Sequence, residues 1–497
     1  MGNPKRQNMR RLDRKRRSKG MEMLMAGQSS DDLLAMFDGA PLNRRYWLSF
    51  GLLSAITVLD FFDFFLIAFI LSKIGPEWQL TYGQSGLILY GGGIGAILGA
   101  LVWGSLSDVL GRKLQIVTGT LICAVSAALI GALPTGSWIL LALLRILVGF
   151  GLAAAVTPCL TIVVELTPTR WRTGMTSFYI VFASAGTLLA SVTSAALFTM
   201  LGWRGLAALG IAPAIFGFLV WAFVPESVRW LTAKGRFGEA REEVAKHLGV
   251  PLQSVPLPTT APTSPPSASL KELYANRRLF WQTVIIWGGS STAAYGYYLW
   301  GPTIVALVLN VPVGQAAGYF IYVAGCGVIG KILLSIIAPM TGRRHLGTVF
   351  ALLAAVSLVL AGIYNSVLIG GFPLMIVLVA ASAFFVEGNF SNLAPYTVEQ
   401  YGVRLGARSS GLGQAANGVG KILGPLALAL IAGSDNIVSP KATSEAVLPA
   451  FIFLGVGMVL VAGAFAFLGI ETHGRAIEDI GEAEAVPRQN EVALGTR

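Results

Sequence analysis

The chain has 497 residues, of which 54% are hydrophobic and only 12% charged. Soluble domains carry about 25% charged residues, so this composition excludes a water-soluble globular protein and makes lipid the solvent of most of the chain. The net charge of +11 does not mark a nucleic-acid partner. The basic residues sit in short connections between apolar runs, where they report membrane orientation.

Residues 1–45 form a tail with a dense basic run from Lys5 to Lys19. No apolar run follows before Tyr46, so it is not a cleavable signal peptide. It is either a cytoplasmic segment lying on anionic headgroups or a tail without a role. Twelve apolar runs follow, each near the roughly 20 residues a bilayer requires: 47–70, 83–107, 114–133, 138–164, 175–200, 204–224, 279–309, 314–338, 346–368, 372–397, 409–433 and 446–469. With the N-terminus inside, the cytoplasmic connections carry Arg112 and Lys113, Arg170 and Arg172, Arg343 and Arg344, and Arg404 and Arg408, while the opposite ones, such as Pro134–Trp138 and Asn310–Gln315, are nearly uncharged. This asymmetry places both termini in the cytoplasm.

The longest connection divides the runs six from six. It begins with a helical pattern over Phe237–Leu248 and continues into an uncharged Pro/Ser/Thr-rich tether, Pro251–Ser269. The two halves echo each other. Glu165 precedes Arg170 as Glu399 precedes Arg404; Gly111-Arg112-Lys113 matches Gly342-Arg343-Arg344; Glu226 with Arg229 matches Glu471 with Arg475. Such a repeat indicates two bundles that rock about a central site. The expected fold is all-α and membrane-embedded, with six-helix bundles over 46–224 and 279–470, a cytoplasmic linker over 225–278 and a cytoplasmic tail over 471–497.

Asp60 and Asp63 lie in the middle of the first run. A carboxylate there costs roughly 2.5–3.5 kcal/mol on insertion scales. The i, i+3 spacing puts both on one helix face. Adjacent carboxylates cannot both stay ionised in a low dielectric, so the pair suits proton carriage. Four more charges fall inside later runs: Arg145, Lys331, Glu387 and Lys421. A charge at that depth is a functional hypothesis by default. Arg145 has two readings, coupling with Asp60 or Asp63 and a structural salt bridge. An opposite charge at about 4 Å is worth about 4 kcal/mol at an effective dielectric near 20. Lys331 either binds an anion or pairs with Glu387. Glu387, Asn389 and Asn392 make a polar stripe, and Lys421 is structural or binds substrate. Tyr295 and Tyr298 share a face and can stack on a planar ring; Trp300 is either an interface anchor or part of an outer closure. Cys123, Cys159 and Cys326 fall inside apolar runs, so no disulfide framework is expected. His247, His345 and His473 are expected at the surface, without metal-ligand spacing. No phosphate-binding loop, metal cluster or nucleophile with a placed base occurs, which excludes an enzyme and an ATP-driven pump.

Gly104-Ser-Leu-Ser-Asp108-Val-Leu-Gly111-Arg112-Lys113 resembles the loop 2–3 signature of the major facilitator superfamily, and the resemblance extends over nearly the whole chain. It implies that fold, and a gating role for Asp108, Gly111, Arg112 and Lys113 together with Glu165, Arg170, Glu226, Arg229, Glu399 and Arg404. The second copy has Pro339 where the signature has Asp. Pro225–Leu231 resembles the signature after span 6 of sugar porters and organic-ion transporters, with Val228 in place of Pro. Asp60-Phe-Phe-Asp63 is similar to the span 1 motif of aromatic-acid/proton symporters, with Phe61 in place of the common Gly. Tyr297-Tyr298-Leu-Trp300-Gly-Pro302 resembles the niacin-transporter-like branch.

This resemblance implies proton-coupled symport of a small organic anion, an aromatic or heteroaromatic carboxylate, by a monomer in the cell membrane (the inner membrane in a Gram-negative source). The coupling ion is a proton and no cofactor is expected. Asp60, Asp63, Arg145 and Glu387 carry the coupling. Arg145, Tyr295, Tyr298, Lys331, Glu387, Asn389, Gln414, Asn417 and Lys421 bind substrate. A sugar or polyol porter using Gln282, Gln414 and Asn417, an organic-cation or drug transporter, and a non-transporting receptor are the alternatives.

Overall fold

The computed structural model describes residues 30–258 and 270–472. The run Lys5–Lys19, residues 259–269 of the tether, His473, Arg475 and the rest of the C-terminal tail lie outside these, as do the side chains of Asp108 and Arg404. Ten helical stretches among the described residues are long and apolar enough to cross a bilayer. One of them, Gly174–Phe223, is 50 residues long and leaves helical dihedrals at Gly202 (φ 62°, ψ −176°), so it holds two crossings. A further helix, Arg277–Val308, has 32 residues; its small and aromatic residues from Gly288 to Trp300 hold it below the others in hydropathy. With it the chain crosses twelve times.

In chain order, span 1 is Arg44–Glu77, span 2 Tyr82–Leu110, span 3 Arg112–Ile130 and span 4 Trp138–Leu166. Spans 5 and 6 are the two parts of Gly174–Phe223. Span 7 is Arg277–Val308, span 8 Val313–Thr341 and span 9 Arg343–Ile363. Spans 10 and 11 form one 58-residue element, Leu374–Ile431, broken at Gly402 (φ 69°, ψ 178°). Span 12 is Pro440–Gly463. Across the boundary between the halves, span 1 packs on span 7, span 2 on span 11, and span 5 on span 8.

The face opposite the basic connections is closed by contacts between the halves. The turn before span 2 pairs with the turn after span 11: Tyr82 N–H donates to Asn436 O (2.9 Å), Gly83 N–H to Ser434 O (2.8 Å) and Val438 N–H to Leu80 O (2.9 Å). The Tyr82 hydroxyl meets Thr443 Oγ1 at 2.5 Å. Trp300 is buried against Tyr82, with ring centroids 5.6 Å apart. It therefore belongs to this closure and is not a lipid anchor.

Ser30–Asp38 is a helix whose first turn carries Asp31 and Asp32, favourable to its N-terminal dipole. It buries Leu33 and Phe37 against the linker helix Phe237–Leu248. Asp38 then joins two loops of the N-terminal bundle, pairing with Arg172 at 2.8 Å and Arg229 at 2.7 Å. Arg45 pairs with Glu243 at 2.6 Å, and Asn43 caps span 1 while donating to the His247 carbonyl. His247 is consequently buried, contrary to the surface position expected from sequence. Ala240, Val244 and His247 form the buried stripe of this amphipathic helix, and the imidazole rests against Phe37 with centroids 4.8 Å apart. His345 is exposed and pairs with Glu471 at 2.9 Å. Cys123 and Cys159 are buried; Cys326 is only partly so and lines a groove between spans 8 and 10.

Between spans 2 and 3 the chain turns at Gly111 with φ 88°, as it does between spans 8 and 9 at Gly342 with φ 96°. L-residues other than glycine rarely adopt this conformation. The Glu226 carboxylate fits against Gly111 and accepts from the backbone N–H groups of Arg112 (3.1 Å), Lys113 (3.3 Å) and Ser227 (2.9 Å). It satisfies donors at the start of span 3 that the helix cannot pair itself. Glu471 sits against Gly342 in the second half, and Glu399 pairs with Arg343 at 2.9 Å. Glu165 neighbours Arg112, Arg229 and Ser227. Arg170 lies over its neighbour Trp171 at 5.3 Å.

Two outcomes follow for stability. Replacing Glu226 with Ala strands those N–H groups and should cost about 1–3 kcal/mol, read as a lower melting temperature in detergent; Glu226→Gln should lose less. Burial, with Arg45 nearby, pushes His247 down to about 4 from 6.5. The unfolded imidazole gains a proton below about 6.5 while the folded one does not until about 4, so this docking is fully stable above the first value and weakens as pH falls through the window. Proteolytic protection of residues 30–38 should drop over that range, and His247→Leu should flatten the pH dependence.

Candidate functional site

Span 1 presents two faces with different chemistry. Asp60 and Asp63 point into the N-terminal bundle. Asp63 lies beside Ala127 of span 3 and Ala207 and Gly210 of span 6, where with Arg145 it lines a void of about 10 Å³, room for roughly one water. Asp60 has Cys123, Cys159 and Tyr179 as its electrostatic neighbours. Both carboxyls are buried and, among the described residues, none of their four oxygens meets a protein donor. They face neither lipid nor the boundary between the bundles.

Phe64 and Phe65, on the other face of span 1, meet span 7. Phe65 stacks on Tyr295 at 5.6 Å and 13°, and touches Tyr298 edge-on at 5.4 Å; Phe64 meets Tyr295 edge-on at 5.6 Å. Lys421 of span 11 enters this aromatic group. Its ammonium lies 5.6 Å from the Phe64 ring and 5.3 Å from the Tyr295 ring. It is buried and, among the described residues, forms no ion pair. Cation–π contact compensates part of its desolvation, with about 2 kcal/mol or more when such contacts are dry.

The other intramembrane cations are already engaged. Lys331 pairs with Glu387 at 2.7 Å, and Glu387 also accepts from Ser184 of span 5 at 2.8 Å, a bond between the halves. Arg145 donates to the backbone carbonyls of Asp63 (3.3 Å) and Phe64 (3.0 Å), not to a carboxylate. Its guanidinium stands 5.3 Å from the Phe64 ring. Asn389 turns away from the boundary and donates to Gly347 O of span 9 (3.2 Å); Asn392 likewise holds Arg343 O (2.9 Å). Both prop up span 9. Ser291 of span 7 donates to Asn417 (2.7 Å), which donates to Gln414 (3.1 Å), an exposed side chain. Gln282 is buried inside the C-terminal bundle near Tyr396 and Gly469.

Thus Tyr295, Tyr298, Lys421, Asn417 and Gln414 lie along spans 7 and 11 near the boundary, Lys331 and Glu387 form one pair there, and Asp60, Asp63 and Arg145 form a separate group behind span 1. Phe64, Phe65 and Ser184 were not singled out from sequence. The phenylalanines were visible beside the aspartates in the motif over 60–65, but nothing in the sequence says which of them meets a cation.

The chain is 27% identical over 456 residues to the niacin transporter NiaP of Acinetobacter baylyi, covering 90% of this chain and 100% of that one. It is 27% identical over 414 residues to the gallate transporter of Pseudomonas putida, covering 80% and 89%. The D-xylose-proton symporter structure shares the fold with a TM-score of 0.68 at 18% identity, covering 86% of this chain and 99% of that one. Residues 53–425 match the model of the Major Facilitator Superfamily. The chain belongs to that superfamily, and is a multi-pass membrane transporter and not an enzyme.

Proposed function

We propose that the protein is a proton-coupled symporter of a small aromatic or heteroaromatic carboxylate, acting as a monomer by alternating access, with both termini cytoplasmic and the closed face outermost. The observation that carries this reading is Lys421: a buried ammonium with no carboxylate partner among the described residues, held at ring faces on the boundary between the bundles. A buried charge is costly unless paired. A substrate carboxylate supplies the missing partner, and Phe65, Tyr295 and Tyr298 offer planar surfaces to its ring. The niacin and gallate transporters that the chain resembles support the same substrate class.

The anion anchor passes from Arg145 and Lys331 to Lys421, because Arg145 is spent on span 1 carbonyls and Lys331 on Glu387. Asn389 leaves the substrate set. Asp60 and Asp63 take the proton, and Glu387, bridging Lys331 and Ser184, links the halves. A cationic substrate is disfavoured: Glu387 is already paired and the two aspartates face away. The neutral line of Ser291, Asn417 and Gln414 is what a sugar or polyol would use, and it gives the second reading.

One of nicotinate, gallate or 4-hydroxybenzoate should raise the melting temperature of the purified protein and be taken up by proteoliposomes under an inward proton gradient. Lys421→Ala should reduce kcat/KM for that anion about 30-fold or more, about 2 kcal/mol, with partial rescue by Lys421→Arg. Unchanged anion uptake by Lys421→Ala, or a panel that neither binds nor enters, rejects the reading in favour of the neutral solute. Asp63→Asn should leave the melting temperature intact or raised while reducing the accumulation ratio to about 1, since a group that cannot release its proton cannot couple. Normal uphill accumulation by that variant removes Asp63 from the proton path.

A further inference from the structure

The proton site and the anion site are separated by the body of span 1, so something must connect them. Asp63 faces spans 3 and 6, whereas Lys421 approaches from span 11 of the other half. One side chain lies between: the Phe64 ring, 1% exposed, has the Arg145 guanidinium at 5.3 Å and the Lys421 ammonium at 5.6 Å. Arg145 in turn lines the same void as Asp63 and holds the carbonyls of Asp63 and Phe64. Gly92 of span 2 makes the closeness possible, because a Cβ there would meet Phe64 Cε2 at 2.8 Å and Arg145 Nη2 at 3.1 Å.

We propose that Phe64 is the positioning residue that couples the two sites, its ring shared between the cation that answers to Asp63 and the cation that receives the substrate carboxylate. This rests on the reading given above. When Asp63 carries a proton, Arg145 stays on the span 1 carbonyls and on the Phe64 face. When Asp63 is ionised, the guanidinium is drawn toward it across the shared void, the Phe64 ring loses one of its two cations, and Lys421 is the one that remains. The groups that face this assembly from neighbouring elements are Asp60 of span 1, Cys123 of span 3, Cys159 of span 4, Tyr179 of span 5 and Tyr295 of span 7.

The test compares two modes of transport in proteoliposomes, using the best-transported of nicotinate, gallate and 4-hydroxybenzoate. Phe64→Leu should flatten the pH profile and lower proton-gradient-driven uptake about tenfold more than it lowers exchange of labelled for unlabelled anion at equal pH. Phe64→Tyr, which keeps the ring face, should restore the pH profile. Gly92→Ala, which displaces the ring without removing it, should reproduce the Phe64→Leu pattern, so the result does not depend on one variant folding. If Phe64→Leu keeps the full pH profile, or loses both modes in proportion while folded by melting temperature, the proposal is overturned. If the intact protein shows no pH-driven uptake of the anion, the functional reading itself falls and takes the proposal with it. Loss of drive well beyond any loss of exchange is the pattern only a coupling role produces.

Discussion

Charge held inside a lipid-embedded helix bundle must find a partner, and this constraint organises the interior. Lys331 is answered by a carboxylate at 2.7 Å. Arg145 is answered by two backbone carbonyls one residue apart on span 1, a substitution that a planar, multi-donor guanidinium can make and an ammonium cannot do as well. Among the described residues, Lys421 meets aromatic faces and no carboxylate, and Asp60 and Asp63 meet no donor. The series runs from full pairing to none, and the unanswered groups are those at which a proton or an anion gains most by arriving.

Span 1 is the element through which these answers communicate. Its helix turns the two carboxyls toward spans 3 and 6 and the two phenylalanines toward spans 7 and 11, with Arg145 fastened to the backbone between them. A carboxylate pair exposed directly to the substrate chamber would exchange protons with the same water that carries substrate. Here the pair is set behind the helix. Coupling of the kind proposed requires a mechanical or electrostatic link across it, and the ring of Phe64 stands 5.3 Å from the Arg145 guanidinium and 5.6 Å from the Lys421 ammonium.

Much of the architecture was legible because hydrocarbon thickness fixes the length of a crossing and the basic residues mark one set of connections. The turn at Gly111 was legible because a tight turn before a helix start favours a glycine; that Glu226 supplies the acceptor there came only from the structure. Spans 7, 10 and 11 were recognised as crossings, but the helical connection between spans 10 and 11, interrupted only at Gly402, was not, because helix continuity across a polar connection depends on packing. What composition could not give was rotation. Span 1 is apolar on every side, so Asp60 and Asp63 could be placed on a common face without any indication of which neighbour that face meets. The same ignorance exchanged the roles of Lys331 and Lys421: both are lone cations in apolar runs, and only the tertiary position of Glu387 decides which is neutralised. The burial of His247 was legible in the sequence, since its spacing from Ala240 and Val244 sets it on the apolar stripe of its helix.

The closure of the face opposite the basic connections is made of parts weak enough to be undone. Three backbone hydrogen bonds join the turns at Tyr82 and Asn436, with Tyr82, Thr443 and Trp300 packed beside them. At about 0.5–1.5 kcal/mol net for each hydrogen bond, the latch is worth a few kcal/mol. Reversing a two-state equilibrium from 1:99 to 99:1 takes about 5.5 kcal/mol of differential binding. On the reading proposed above, a carboxylate reaching the buried ammonium and a proton reaching a buried carboxylate each bias this equilibrium, and a latch of a few kcal/mol is small enough for such binding to release it.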